Sequence, residues 1–144
     1  HRGEILMAYW LFKTEPEAWS WTQQKKMGAK GEPWSGVRNY QAAGNMKKMM
    51  KGERGFFYHS GLERRIVGIV EVTVTYREDP TDLTGRFGLV VVKAVEDMPS
   101  SVSLTEIKQN GALRDMVLVK NSRLSVQPVT PDEWKSVCAM GGLL

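Results

Sequence analysis

The apolar positions of this chain come as short continuous runs and as spaced stripes. Ala8-Tyr9-Trp10-Leu11-Phe12 is a continuous run suited to a buried strand, and Lys13-Thr14-Glu15-Pro16 ends it. Gly55-Phe56-Phe57-Tyr58-His59 predicts a second strand. Ile66 through Tyr76 predicts a longer third, rich in β-branched residues, with Gly68 marking a bulge or a tight bend. Phe87 through Val95 predicts a fourth. Leu124 through Val129 alternates as a fifth, where Pro128 favours an edge or a strand end.

Between these runs lie helix signals. Ser20 through Met27 predicts a short helix that fades into Gly28 and Gly31. Asn39 is placed to cap a helix through Met50, with Gly52 beyond its end and Lys47, Lys48 and Lys51 complementing the dipole. Met46, Met49 and Met50 read mainly as core. Ser103 followed by Glu106 is a capping box for a helix to Lys108, and Leu113 to Met116 predicts a further turn. Thr130-Pro131-Asp132-Glu133 opens a terminal helix containing Trp134. Strands interrupted by short helices predict an α+β domain built on a small curved or closed sheet.

Composition narrows the class. At 144 residues the chain reads as one domain, long enough to bury roughly 70% of its unfolded surface. His1 through Leu6 precede a Met-Ala pair that reads as a natural start, so residues 1–7 are set aside as vector-derived sequence and start, and 8–144 are taken as the domain. No apolar run approaches the ~20 residues of a membrane span, so no membrane partner is expected. Cys138 is the only cysteine, which excludes an intrachain disulfide and a multi-cysteine metal site and fits a cytoplasmic protein.

The net charge of +4 is unevenly spread. Residues 1–65 carry 12 Lys and Arg against 6 Asp and Glu, whereas residues 66–144 carry 8 against 10. Ten of the thirteen aromatic residues lie between Tyr9 and Tyr58, so the basic half is also the aromatic half. A positive, ring-rich segment attracts polyanions and offers stacking surfaces, although a solvated face accounts for the charge alone.

The densest chemistry is Trp34-Ser35-Gly36-Val37-Arg38-Asn39-Tyr40-Gln41. A flat polar ligand needs a ring to stack on, an amide to read its edge and a guanidinium for phosphate. Trp34 is the first candidate wall, against the alternative of a core ring tethering a loop. Arg38 holds a phosphate or base, or pairs internally with a residue such as Glu15. Asn39 reads an edge or caps the helix, and Tyr40 is a second wall or a packed tyrosine. His59 and Ser60 end a strand where side chains reach a pocket mouth. As neighbours on a strand they point to opposite faces, which argues against paired nucleophilic catalysis. Lys13, Arg123 and Ser125 are candidates for phosphate or base contact, or are simply solvated. No metal cluster, Walker loop or two-metal acidic set is present, and no cofactor is called for.

Four segments together resemble the EVE domain family. They are Tyr9-Trp10-Leu11-Phe12-Lys13-Thr14-Glu15-Pro16, Trp34 through Ala42, Gly55-Phe56-Phe57-Tyr58-His59-Ser60, and Ser122 through Val129. They stand in the family's order and cover the chain from about Ala8 onward. The resemblance implies a PUA-like fold, a small β-barrel with flanking short helices, related to the YTH readers of methylated adenine. It also implies a pocket for a modified nucleobase, modified cytosine in DNA being the usual one. Two departures stand out: a short connection from Asp79 to Gly88, and Trp21 where many relatives carry an aliphatic residue. Trp21 therefore either narrows the pocket or fills the core.

The expectation is a non-enzymatic module that binds nucleic acid, DNA or RNA, carrying a modified base. Trp34, Arg38, Asn39, Tyr40, His59, Ser60, Lys13, Trp21, Arg123 and Ser125 are its candidate contacts. The alternatives are an enzyme acting on modified nucleotides or nucleic acid, and an RNA-binding or small-molecule nucleotide-binding module.

Overall fold

A computed structural model describes residues 7–143; of residues 1–7, read as vector-derived sequence and start, 1–6 lie outside the described residues. The strands are β1 (Tyr9–Thr14), β2 (Glu32–Pro33), β3 (Arg54–His59), β4 (Arg65–Glu78), β5 (Gly88–Ser103) and β6 (Val126–Val129). The helices are α1 (Trp21–Lys26), α2 (Tyr40–Lys47), α3 (Leu104–Gln109), α4 (Val117–Lys120) and α5 (Pro131–Met140). The six strands form one mixed sheet in the order β2-β5-β4-β3-β1-β6. β1 runs parallel to β3 and antiparallel to β6.

The apolar run in β1 is divided by its pleat. Trp10 and Phe12 enter one core while Leu11 enters the other, and in β3 Phe57 parts likewise from Phe56 and Tyr58. The first core is completed by Trp21, Trp34, Ala42 and Met46, and the second by Ile107, Leu118, Trp134 and Val137. Each fully buried side chain of this size contributes about 1.5–3 kcal/mol. Helices therefore cover both faces, which is why β1 reads as unbroken apolar sequence.

Side-chain caps stand at the helix starts that the sequence marks. Ser20, Ser103 and Thr130 form capping boxes, and the Asn39 side chain accepts from the Ala42 N–H at 2.8 Å. The Gly68 bulge is present as a shift in pairing between Ile66 and Gly68. The glycine itself is required there, since a Cβ at Gly68 would lie 2.1 Å from the Trp21 ring.

Three expectations change. α2 stops at Lys47 rather than Met50, so that Met49 can turn back into the core. β5 runs on to Ser103, well past Val95, because its far half keeps pairing with β4. The sheet is open: β2 and β6 are its two edges and are not bonded to each other, so the expected barrel is not closed among the described residues.

Candidate nucleic-acid interface

Residues 34–39 link β2 to α2, and this loop is tied down at both ends. The Trp34 N–H donates to the Val90 carbonyl at 2.7 Å, and Asn39 is held as the helix cap. Between them Gly36 adopts φ +82°, a conformation open to glycine, which turns its N–H onto Asp79 Oδ2 at 2.8 Å. The Trp34 ring meets Phe12 and Phe57 at 64° and 86°, so neither ring lies flat against it.

This loop forms one wall of a cleft of about 410 Å³. Lys13 and Thr14 from the end of β1, Trp19 from the turn before α1, and Ser125 before β6 complete it, with Glu32 on the β2 side. Of the candidates, Trp34, Arg38, Lys13 and Ser125 thus come together. Trp34 belongs to the first core and lines the cleft at once, with 8% of its surface exposed. Lys13 donates from Nζ to the Ser122 carbonyl and lies 5.7 Å from the centre of the Tyr58 ring; burial lowers its pKa.

The other candidates lie elsewhere. Asn39 Oδ1 is engaged as the cap, and Tyr40 points outward, 67% exposed, against Phe87 with ring centres 4.8 Å apart. His59 is buried: Nε2 accepts from the Trp21 N–H at 3.0 Å, which leaves Nδ1 to donate to Glu63 at 2.8 Å. With both nitrogens engaged, its ring presents no free edge. Ser60 follows β3 and donates its backbone N–H to Thr14, outside the cleft lining. Trp21 is a core ring over Gly68 that donates from Nε1 to Asp97 at 2.7 Å. Arg123 is exposed in the turn before β6 and does not line the cleft.

Arg38 pairs with Asp79 at 3.2 Å, not with Glu15. Asp79 is wholly buried, which pushes its pKa up. Hydrogen bonds from Thr81, Gly36 and Arg38 outweigh that and hold it below the usual carboxylate value. A neighbouring carboxylate, Asp82, accepts from Thr84, Phe87 and Arg86, and its pKa falls to about 2. Sequence reasoning alone did not reach Asp79, Thr81 or Trp19. Asp79-Pro80-Thr81 does carry a turn signature. Trp19 sits just before the Ser20 cap, the position from which a side chain reaches the fourth helical residue, and its Nε1 donates to Gln24 at 2.8 Å.

Among the described residues no helix is long and apolar enough to cross a membrane. None of their His, Cys, Asp and Glu side chains form a group of three or more placed to hold a metal ion.

A family model for the EVE domain matches residues 8–140. Human thymocyte nuclear protein 1 is 30% identical over 94% of this chain and 74% of its own length. A crystal structure of a protein from Agrobacterium tumefaciens superposes with a TM-score of 0.91 at 52% identity, covering 94% of each chain. The crystal structure of human THYN1 protein in complex with 5-methylcytosine-containing DNA superposes with a TM-score of 0.87 at 29% identity. It covers 93% of this chain and 97% of that one.

Proposed function

The chain belongs to the EVE domain family, and on that premise we propose that its cleft receives a modified base presented on nucleic acid, modified cytosine in DNA being the first choice. The base leaves the stack and enters beside Trp34 and Trp19. Trp19 takes the part expected of Tyr40, because it is the other ring that lines the cleft. Polar groups on the cleft wall, such as the Ser35, Thr14 and Ser125 hydroxyls, read the base edge. Lys13 and Arg38 meet the flanking phosphates, while the basic half of the chain raises the local concentration of the strand.

One observation carries this reading: two indole rings and two cationic side chains converge on one cleft. The relative solved with 5-methylcytosine-containing DNA supports the choice of ligand. Burying one methyl group contributes only about 0.8 kcal/mol, so discrimination has to come from a close-fitting wall and from rejection of other bases.

Titration of short oligonucleotides containing cytosine, 5-methylcytosine or N6-methyladenine, followed by fluorescence anisotropy at low salt, tests the proposal. The 5-methylcytosine strand is expected to bind tightest. Absence of binding to all three would overturn it.

A further inference from the structure

The Arg38 guanidinium carries five N–H donors, and its partners divide them unevenly. Nη1 donates to the Val37 carbonyl at 3.1 Å and to Asp79 Oδ2 at 3.2 Å, and Nη2 donates to Thr81 Oγ1 at 3.0 Å. Thr81 Oγ1 in turn donates to Asp79 Oδ1 at 2.6 Å, so the carboxylate and hydroxyl form one clamp across the end of the guanidinium. The Nε–H and the second Nη2–H have no hydrogen-bond partner among the described residues. Those two donors lie side by side on the guanidinium's long edge, a fork that matches two oxygens of one phosphate. The side chain that carries this fork is 39% exposed, while the Asp79 side chain that clamps it is 0% exposed.

We propose that Asp79 is a positioning residue which, with Thr81, clamps one edge of Arg38 and presents the other as a bidentate seat for a single phosphodiester group beside the cleft. The inference rests on the base-binding reading for its biological ligand, but the seat itself is defined by chemistry and takes any phosphate dianion or diester. Asp79 also cancels much of the Arg38 charge. An unclamped arginine attracts any phosphate within reach, whereas a neutralised and oriented one rewards only a phosphate placed on the fork. The same carboxylate accepts from the Gly36 N–H, so the wall that carries Trp34 and the phosphate seat share one anchor.

The test replaces each phosphate of the bound oligonucleotide in turn with a neutral methylphosphonate. In the native protein one position is expected to cost more than about tenfold in affinity, as charge-assisted hydrogen bonds do. In Asp79→Asn that peak is expected to flatten, while the slope of log affinity against log salt steepens by up to about one unit from the released charge. Thr81→Val, which keeps the buried carboxylate, is expected to blunt the peak without changing the slope, and it serves if Asp79→Asn does not fold. Asp82→Asn loosens the same loop without touching Arg38 and is expected to leave the peak in place. An unchanged peak in Asp79→Asn or in Thr81→Val would overturn the proposal. Should the native protein bind no oligonucleotide, the base-reading fails on its own. The seat is then judged by the Arg38 Nε–H resonance during titration with inorganic phosphate. A shift in the native protein that is lost in the variants supports the seat, and no shift overturns it.

Discussion

The cleft beside Trp34 has a counterpart of nearly equal size on the other face of the sheet. The first measures about 410 Å³ and the second, beside Trp134, about 430 Å³. In the second, Tyr9 lies on Trp134 with ring centres 4.3 Å apart and 14° between planes, and Trp134 lies on Phe56 at 4.0 Å and 17°. Both faces of that indole are thus taken by neighbouring rings. Its charges are mixed, with Arg54, Lys135 and Glu96 all lining it, and Arg54 is within 3.5 Å of Glu71. Burial, with the Glu96 charge adding to it, pushes the Cys138 thiol up to about 11, so it is unreactive at neutral pH. In the first cleft, among the described residues, no ring lies flat on Trp34, Trp19 is half-buried, and two Arg38 donors have no hydrogen-bond partner. Volume does not separate the two regions. What separates them is which groups still lack a partner.

The two tryptophans are where the clefts are expected to differ most. Trp34→Ala and Trp134→Ala each empty a packed core and are each expected to cost about 3–5 kcal/mol of stability by chemical denaturation. Under conditions where both variants are folded, only Trp34→Ala is expected to abolish oligonucleotide binding. Equal binding by the two would mean that the cleft beside Trp34 has no special role. A smaller and cleaner contrast uses the partly buried rings. Trp19→Ala is expected to weaken binding by about 5- to 150-fold, the range for losing one base–aromatic stack, whereas Tyr9→Ala lowers stability and leaves affinity alone.

How much of this contrast was readable beforehand depended on the range of the interaction. The caps at Asn39 and Ser103 were legible because each involves residues three positions apart, and Ser20 and Thr130 were legible as helix starts. Gly68 was legible as a bulge, but not the ring that demands it, because Trp21 lies 47 positions away. Lys13, Trp34, Arg38 and Ser125 were named with six other residues from residue type and family resemblance, and only the folded chain separates these four, which line one cleft, from the rest. Asp79 escaped because its partners, Gly36 and Arg38, are over forty residues distant and a turn aspartate usually serves its own loop. His59 and Tyr40 were judged by residue type, whereas their surroundings depend on packing: a backbone N–H claims one and solvent surrounds the other.

The smallest expected effect separates the two faces by acid. Asp82 has a folded pKa of about 2 against an ordinary value of 3.8, and Asp79 shifts in the same direction. Between those values the unfolded chain binds more protons than the folded one, so stability rises with pH across that window. The contribution of Asp82 is present above its ordinary value of 3.8 and disappears as pH falls through its folded value near 2, and that of Asp79 is lost in the same direction. The Phe87 amide held by Asp82 is expected to shift in NMR spectra over that range, and the Gly36 amide held by Asp79 as that carboxyl protonates below its ordinary value. Amides of the β1–β3 ladder, bonded only to backbone carbonyls, are expected to stay in place until global unfolding. Asp82→Asn removes the shift at Phe87 and keeps that at Gly36, because the two carboxylates clamp different ends of one loop. If Gly36 and Phe87 moved only together with the β1–β3 amides, the loop would have no stability of its own to lose. The Arg38 clamp would then be a consequence of the global fold rather than a local device.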